Sequence, residues 1–397
     1  MRILNLPFFV GAIVLSANAA TAGDWPNFRG PNHDGISPEK GLKTDWDGNP
    51  KVLWERQIGS AFSSFACVGD RVYTCGTTDA QQVLICLDAA TGKEIWKRPF
   101  EKEYRDQFGD GTRATPTVSD GRVYVVGGHG TVVCCDADNG SEIWSQRYKH
   151  VPQWGYSGSV LIEGNLAIFQ AGGSDGALRA ADKKTGKKVW KCDNDDPGYA
   201  TPLPFEFGGR KFICAFTANR ASIIDLEAGK IVGKIPWKTD WKVNAAAPIY
   251  HEGHLFLNSG YQTGCGLFKL SAAKGKITAR EVWKSKVLLN KFQSAILTGG
   301  NLYSSDEKAL KCVDFMTGSE RWKQPRTMNG TLVLADSKLF LLTESGELRV
   351  GPPDPSGFKP TAEAKILDGR CWTVPVIANG RMYARNLEKV VCIDLRE

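Results

Sequence analysis

The chain alternates short hydrophobic runs with turn residues, and one arrangement of them returns several times. A hydrophobic strand ends in Asp, a Thr-Gly or Asn-Gly turn follows, and a second strand ends in Trp. Strand, turn and strand recurring roughly every 45 residues are typical of a β-propeller, in which each repeat forms one blade of a ring. The clearest copies are residues 86–96, 134–144, 181–190 and 312–322.

A second hairpin signal lies upstream of these copies. Tight turns, most of them containing Gly, separate apolar runs there, as antiparallel hairpins require. Eight such turns occur, so the sequence predicts an all-β, eight-bladed propeller with four antiparallel strands in each blade. The last blade lacks its outer strand, and residues 51–55 have the composition to supply it and to close the ring. The eight turns begin near residues 69, 120, 164, 208, 252, 299, 336 and 379.

The start of the chain has the pattern of a secretory signal peptide, with an apolar run over residues 3–15 followed by small residues. We therefore predict a signal peptide over residues 1–22, an N-terminal clasp beside the ring closure over residues 23–50, and the propeller over residues 51–397. No later stretch is apolar enough for a membrane span. The net charge of +7, without basic runs, argues against nucleic acid as a partner. The mature protein is expected to be soluble, and periplasmic or secreted.

Eleven Cys residues in an exported chain would ordinarily suggest disulfides. Four of them, however, occupy the same repeat position, two residues before the Asp. Equivalent positions of different blades lie too far apart on a ring to be bridged. A small, buried core site is the simpler interpretation. The four residues are Cys86, Cys134, Cys312 and Cys392.

The Asp-x-x-Thr-Gly-Lys-x-x-Trp repeat resembles the PQQ-type propeller repeat of quinoprotein dehydrogenases and of the outer-membrane assembly factor BamB. Residues 24–31 are also similar to mature N-termini in this family. The resemblance covers essentially all of the mature chain, and it implies Trp residues packed between neighbouring blades as a docking girdle. It leaves the function open, because one fold serves catalysts and scaffolds alike.

Two motifs bear on a dehydrogenase function. Quinoprotein alcohol dehydrogenases carry an adjacent Cys pair, joined as a disulfide, on a loop over their cofactor. Cys134 and Cys135 are adjacent, but the repeat places them within a strand, where successive side chains point to opposite faces. Asp193, Asp195 and Asp196 form the most oxygen-rich stretch, and Ca²⁺, which quinoproteins hold beside their cofactor, favours such clusters.

Unrepeated polar and aromatic residues concentrate in two kinds of loop, those that link one blade to the next and those between the second and third strands. Both kinds lie on one face of a propeller. Cationic groups that converge there from several blades would favour an anionic ligand, and aromatic planes beside them suit a flat one. The predicted ligand-binding residues are Arg105, Arg113, His129, Trp154, Tyr156, Tyr199, Trp241, Lys242, Asn244, Lys291, Gln293, Arg370 and Trp372.

Two functions remain open from the sequence. One is an exported, non-catalytic binding or scaffold module, which binds a ligand or an envelope or secreted protein or peptide on the loop-rich face, as BamB-like proteins do. The other is a PQQ-dependent dehydrogenase that oxidises an alcohol or a sugar with PQQ and Ca²⁺ as cofactors. The sequence lacks a loop-borne Cys pair and a C-x-x-C-H haem module. We therefore predict the non-catalytic module, without a cofactor.

Overall fold

The computed structural model describes residues 23–46 and 48–396. The predicted signal peptide, residues 1–22, lies outside the described residues. Regular structure in the described part is β-strand apart from two short 3₁₀ helices, η1 (Gly173–Asp175) and η2 (Asp240–Lys242). None of its helices has the length and apolar character needed to cross a membrane.

Within these residues, eight four-stranded antiparallel sheets form the blades. Strand β1 (Val52–Gln57) comes first in the chain, and seven blades of four consecutive strands follow it. The first three blades are built from β2 (Ala66–Val68), β3 (Arg71–Thr78), β4 (Gln81–Asp88), β5 (Glu94–Lys102), β6 (Thr117–Ser119), β7 (Arg122–Val126), β8 (Thr131–Asp136), β9 (Glu142–Arg147), β10 (Leu161–Glu163), β11 (Leu166–Gln170), β12 (Leu178–Asp182) and β13 (Lys188–Cys192).

The remaining blades continue the same pattern, and the eighth recruits β1 as its outer strand. The predicted eight-bladed propeller, closed by an N-terminal strand, is confirmed. The strands are β14 (Leu203–Phe207), β15 (Arg210–Phe216), β16 (Arg220–Asp225), β17 (Lys230–Pro236), β18 (Ile249–His251), β19 (His254–Ser259), β20 (Gly264–Ala273), β21 (Lys276–Ser285), β22 (Ile296–Thr298), β23 (Asn301–Ser305), β24 (Ala309–Asp314), β25 (Glu320–Pro325), β26 (Thr331–Ala335), β27 (Lys338–Leu342), β28 (Glu347–Gly351), β29 (Ala362–Lys365), β30 (Val376–Ala378), β31 (Arg381–Arg385) and β32 (Lys389–Asp394).

A two-residue turn joins the first and second strands of every blade, as the eight turn signals predicted. The first strands of neighbouring blades contact one another in blades 1 to 3 and 6 to 8, and the first strands form the inner wall of the ring. We call the side of the ring with these turns the turn face. The opposite side carries the loops that link successive blades, and we call it the loop face.

The ring closes by pairing between distant parts of the chain. Strand β1 pairs with β32, and Trp54 donates its indole N–H to the Ala89 carbonyl of the first blade at 3.1 Å. Across the same seam, the fully buried Arg385 donates to the carbonyls of Cys75 and Ser63. Desolvation lowers the pKa of this guanidinium to about 10. The seam is therefore held by polar contacts as well as by the strand pairing.

The repeated Asp and Trp residues meet at corners between blades. Asp182 accepts hydrogen bonds from the backbone N–H and the hydroxyl of Thr185, both at 2.8 Å. Trp144 of the preceding blade packs over Gly186 of this corner and donates to the Lys183 carbonyl at 3.0 Å. Gly186 has a φ of 70°, and a side chain there would strike the indole. Equivalent indole-to-carbonyl bonds run from Trp96 to Ala137, Trp283 to Phe315 and Trp322 to Asp354.

The Cys residues of the described chain are free thiols, and all except Cys192 are buried. Cys134 and Cys135 lie in β8 and enter two different core clusters, as their strand position predicted. Burial raises the pKa of Cys134 to about 12 and that of Cys135 to about 11. Both thiols are therefore protonated at neutral pH and serve as packing residues.

The predicted N-terminal clasp contacts the seam of the ring and also blades that lie away from the seam. Trp25, which is 1% exposed, forms a β-bridge with Cys67 on the first strand of blade 1. The Pro26 carbonyl accepts a hydrogen bond from Val118 in blade 2 at 2.8 Å. The chain therefore runs along the inner wall of the ring.

The same segment also reaches blades 6, 7 and 8. The buried Arg29 donates to the Ala295 carbonyl just before β22 at 2.7 Å, and Ser37 bonds through its backbone to Leu334 on β26 and through its hydroxyl to Ile377 on β30. We call residues 23–37 the N-terminal plug, because they contact the inner strands or their starts in five blades.

The plug enters from the turn face. Asp24 accepts a hydrogen bond from the Gly69 N–H, and Glu39, just after the plug, accepts from the N–H groups of Asn379 and Gly380. All three donors lie in two-residue turns. The channel of the propeller is thus occupied from the turn face, and a pocket opens at its loop-face end.

Candidate functional site

A pocket of about 320 Å³ opens at the centre of the loop face. This volume lies at the lower end of the ~300–1,000 Å³ range of small-molecule sites. Every linking loop of the ring contributes to its wall, and Phe28 of the N-terminal plug lines it as well. The pocket is therefore a property of the whole ring.

One side chain from each linking loop lines the pocket at the same position of the repeat. In seven blades this residue lies seven positions before the first residue of the two-residue turn, and in the fourth blade it lies nine positions before it. Because the turns set the register of the inner strands, equivalent backbone positions direct their side chains to the mouth. We call these residues the mouth ring: Phe62, Arg113, Ser157, Tyr199, Ala245, Phe292, Asn329 and Trp372.

Blades 6, 8 and 1 form one aromatic wall of the pocket. The rings of Phe292 and Trp372 have centroids 5.0 Å apart, and Trp372 stacks on Phe62 at 5.8 Å with 19° between the planes. Glu344 holds the Trp372 indole N–H at 2.7 Å. The guanidinium of Arg370 lies 4.4 Å from the centre of the same indole. These contacts hold Trp372 in one orientation.

Tyr199 and Trp154 form a second aromatic group, with ring centroids 6.1 Å apart. Trp241 meets Trp154 edge to face at 6.3 Å, and 64% of its surface is exposed. Other large apolar side chains on the linking loops are exposed too. We call this set the apolar rim: Phe108, Val151, Trp241 and Met328.

Arg113 is the buried cation of the pocket. It donates to the carbonyls of Gly111 and Gly109 at 2.7 and 3.0 Å, and its guanidinium lies 3.6 Å from the Asp106 carboxylate. The Tyr104 ring lies 4.5 Å from it. Desolvation lowers the pKa of Arg113. Most of its hydrogen-bonding capacity is used by its own loop, so Arg113 chiefly shapes the wall.

Lys291 is a less constrained cation. Within the described residues its Nζ makes no hydrogen bond, and the nearest carboxylate is that of Glu307 at 3.9 Å. It lies 5.6 Å from the centre of the Tyr261 ring. The buried Gln293 accepts a hydrogen bond from the Lys291 backbone N–H at 3.1 Å, which fixes the loop. The Lys291 amine is therefore held only by a long ion pair with Glu307.

Thirteen ligand-binding residues were predicted. Nine of them lie in the pocket, beside it or near the apolar rim. Trp241 and Arg370 pack on the aromatic groups, while Arg105 and Lys242 lie outside the pocket, where they pair with Glu103 and Asp196. The five that line the pocket are Arg113, Trp154, Tyr199, Lys291 and Trp372.

The other four predicted residues support the loops. The Tyr156 hydroxyl and the Asn244 amide each donate to a backbone carbonyl of a loop at 2.7 Å. His129 packs against the Tyr104 ring, 5.0 Å away. Polar loop residues are also needed to satisfy buried backbone groups, and sequence cannot separate that use from ligand binding. The four residues are His129, Tyr156, Asn244 and Gln293.

Several pocket residues were not predicted. Aligning the linking loops on the following turn would have found two of them, Phe62 and Phe292, because they share the position of Arg113 and Trp372. Phe28 has no counterpart in the repeat, and only the path of the plug brings it here. The aromatic and acidic residues missed are Phe28, Phe62, Asp106, Phe108, Tyr261 and Phe292.

The predicted Ca²⁺ ligands do not form a shared set. The three carboxylates are engaged by protein donors, with Arg220 beside both Asp193 and Asp195, and in residues 23–46 and 48–396 no group of three or more metal-binding side chains is found. Desolvation opposes ionisation of Asp193, but its hydrogen bonds outweigh this and its pKa is lowered. The pairs are Asp193–Arg220, Asp195–Thr217 and Asp196–Lys242.

The pocket also does not fit the PQQ site that the resemblance implied. The adjacent Cys134 and Cys135 lie in the core of blade 2, and no Cys lines the pocket. Among residues 23–46 and 48–396, neither a disulfide nor a group of Ca²⁺ ligands lies beside the aromatic walls.

A family model described as outer membrane protein assembly factor BamB matches residues 80–324, more than half of the chain. The chain belongs to this family. No match to a curated protein is found.

Solved structures share the fold of this BamB-family propeller at low sequence identity. BamB from Moraxella catarrhalis is 14% identical with a TM-score of 0.62, over 87% of this chain and 98% of that one. Quinohemoprotein alcohol dehydrogenase from Comamonas testosteroni is 13% identical with a TM-score of 0.53, over 96% and 81%. The computationally designed protein Ika8 is 13% identical, with a TM-score of 0.62 over 87% and 100%. Relatives in fold therefore include enzymes and proteins of other kinds, and the site must decide between them.

Proposed function

We propose that this protein is an exported, non-catalytic binding module, which holds a protein or peptide partner or a ligand on the loop face. Membership of the BamB family supports a role in the cell envelope, and the signal-peptide pattern of residues 1–22 supports export.

The single observation that carries this proposal is the apolar rim around an aromatic pocket. Trp241 is 64% exposed and packs on the pocket residue Trp154, and Phe108 is 41% exposed and lines the pocket. Large exposed apolar side chains grouped at one place mark an interaction surface. Aromatic and Met side chains are enriched at protein interfaces.

The carboxylates of the pocket support a non-catalytic function. Asp106 accepts a hydrogen bond from the Phe108 N–H at 2.8 Å and faces Arg113. Glu344 accepts from Trp372 at 2.7 Å and from Asn329 at 3.0 Å. A general base must reach the proton that it removes. Both of these carboxylates are already engaged by the pocket wall.

The proposal can be tested with peptides that are selected from a display library for binding to the mature protein. We expect Trp372→Ala and Trp241→Ala each to weaken the affinity for a selected peptide by about tenfold or more. Ile143→Ala, which removes an apolar side chain 41% exposed on an outer strand, should leave affinity unchanged. Equal affinities in all variants, or a failure to select any peptide, would argue against binding on the loop face.

The alternative dehydrogenase function is tested by calorimetric titration of PQQ with and without Ca²⁺, followed by dye-linked alcohol oxidation. We expect no saturable 1:1 binding and no turnover. Turnover that depends on PQQ would replace the proposed function with the enzymatic one.

A further inference from the structure

Several polar groups in and beside the pocket wall are already hydrogen-bonded within the protein. Asp106 and Glu344 are engaged as described above. The hydroxyls of Ser64, Ser157 and Thr373 lie in the wall, and each donates to a backbone carbonyl, so they have no hydrogen left to offer. The polar groups of these residues therefore already have hydrogen-bond partners within the protein.

Lys291 and Tyr261 provide two adjacent donors of the wall that have no hydrogen-bond acceptor among residues 23–46 and 48–396. The Lys291 amine has only the Glu307 carboxylate at 3.9 Å, beyond hydrogen-bond distance, and the Tyr261 hydroxyl makes no hydrogen bond. They lie on neighbouring loops, with the Lys291 Nζ 5.6 Å from the centre of the Tyr261 ring. Burial raises the pKa of Tyr261, so the hydroxyl keeps its proton at neutral pH. An occupant that satisfies both groups must supply acceptor oxygens.

Apolar surface adjoins these donors directly. Phe292 follows Lys291 in the chain, and its ring packs against Trp372 with centroids 5.0 Å apart. An aromatic ring placed on this wall would gain offset or edge contacts with both side chains. The donors and the ring surface therefore belong to one site.

Phe28 limits the depth of that site. It lines the pocket from the N-terminal plug, which Trp25 and the buried Arg29 anchor to the inner wall. A chain cannot thread through the propeller while the plug is in place. The occupant must therefore enter from the loop face and end within the pocket.

We propose that the pocket takes an aromatic ring carrying a carboxylate, with the ring on Phe292 and Trp372 and the carboxylate on Lys291 and Tyr261. This inference rests on the proposed function and names the chemistry of its ligand. The group can come from a small aromatic acid or from an aromatic residue at the C-terminus of a peptide.

The test compares probes that differ only in charge, measured by calorimetry on the mature protein. N-acetyl-phenylalanine is compared with N-acetyl-phenylalaninamide, and the peptide Gly-Ser-Gly-Ser-Phe is compared with its C-terminal amide. We expect each acid to bind at least about tenfold more tightly than its amide, because a hydrogen-bonded charge is lost in the amide. The tighter of the two acids identifies the source of the group.

Two conservative variants assign the preference to the named residues. Lys291→Met keeps the aliphatic stem, and Tyr261→Phe keeps the ring. Each should reduce the acid-over-amide ratio by about fivefold or more while leaving the affinity for the amide nearly unchanged. Lys242→Met removes a lysine of the same face outside the pocket and should keep the full ratio.

Failure of this inference can be distinguished from failure of the proposed function. If acid and amide bind equally, or if Lys291→Met keeps the ratio, the assigned chemistry is wrong. If no phenylalanine probe binds while displayed peptides still depend on Trp372 and Trp241, the inference fails and the binding function stands. If neither class of probe binds, both fail.

Discussion

The inter-blade corners and the mouth ring are both repeated around the propeller, but they differ in what is repeated. At the corners the backbone and the side chains recur together: Asp88, Asp182 and Asp314 each accept the backbone N–H and the hydroxyl of a Thr three residues later. At the mouth ring only the backbone position recurs. Its side chains comprise four aromatic rings, an Arg, an Asn, a Ser and an Ala.

A corner solves the same packing problem in each blade, so the same residues suit it every time. The mouth ring surrounds a single space, and under the proposed function a single ligand would present different chemistry to each blade. Under the proposed function, a repeat position whose side chain varies from blade to blade is therefore a better indicator of the binding site than a polar motif repeated in each blade.

The largest effect is expected at a corner. Trp144→Ala removes an indole that packs over Gly186 and donates to the Lys183 carbonyl. We expect the free energy of unfolding to fall by about 3–5 kcal/mol. Denaturant unfolding measures it, and Trp241→Ala, at an exposed Trp, should change it little. Equal losses of unfolding free energy in the two variants would contradict the structural role that we assign to the corner Trp.

A matched pair of glycines sharpens the role of the corner. In Gly186→Ala the new Cβ would lie 2.8 Å from the Trp144 ring, whereas in Gly164→Ala it meets nothing within 4 Å. Both glycines have positive φ, which costs Ala about 1–2 kcal/mol. Overpacking should add roughly 1–3 kcal/mol at Gly186 alone. Similar unfolding midpoints for the two variants would contradict the close packing.

The mouth should respond in the opposite way. Trp372→Ala is expected to weaken ligand binding by about 2 kcal/mol, roughly 30-fold, because the indole forms one aromatic wall. The loss of unfolding free energy should be well below that of Trp144→Ala, since Trp372 is only half-buried. Binding is measured by calorimetry and stability by urea unfolding of the same preparations. If Trp372→Ala lost as much unfolding free energy as Trp144→Ala, Trp372 would have a structural role instead.

The smallest effect concerns the corner carboxylates. The Thr185 hydroxyl hydrogen bond lowers the pKa of Asp182 in the folded protein. Stability from this charge is therefore present above the unfolded pKa, about 3.9, and is lost as the pH falls through the folded pKa. Because the carboxylate is exposed, Asp182→Asn should cost under about 1 kcal/mol at neutral pH.

The pH dependence provides the check on this prediction. The difference in unfolding free energy between the wild type and Asp182→Asn should shrink as the pH is lowered below 4. A difference that grows in acid would mean that the folded pKa is raised instead.

Much of the fold was predictable because its signals are local. Each two-residue turn and each Asp-Thr-Gly corner is determined by a few neighbouring residues, and the missing outer strand of blade 8 pointed to residues 51–55. The binding residues were harder to predict. Linking loops have no hydrophobic period, so Trp372, which faces the mouth, and Asn244, which faces the interior, look equally suitable in sequence.

The sequence by itself determined the number of blades, their strand order and the structural role of the repeated Asp, Gly and Trp residues, because these depend on short-range backbone geometry. Only the tertiary structure decided which loop side chains share a pocket, and that Phe28 closes it from below. Residues 28, 62, 292 and 372 are far apart in the chain, and they meet because the ring closes through β1 and the plug is anchored at Trp25 and Arg29. Contacts of that kind arise from long-range packing, which leaves no local pattern in the chain.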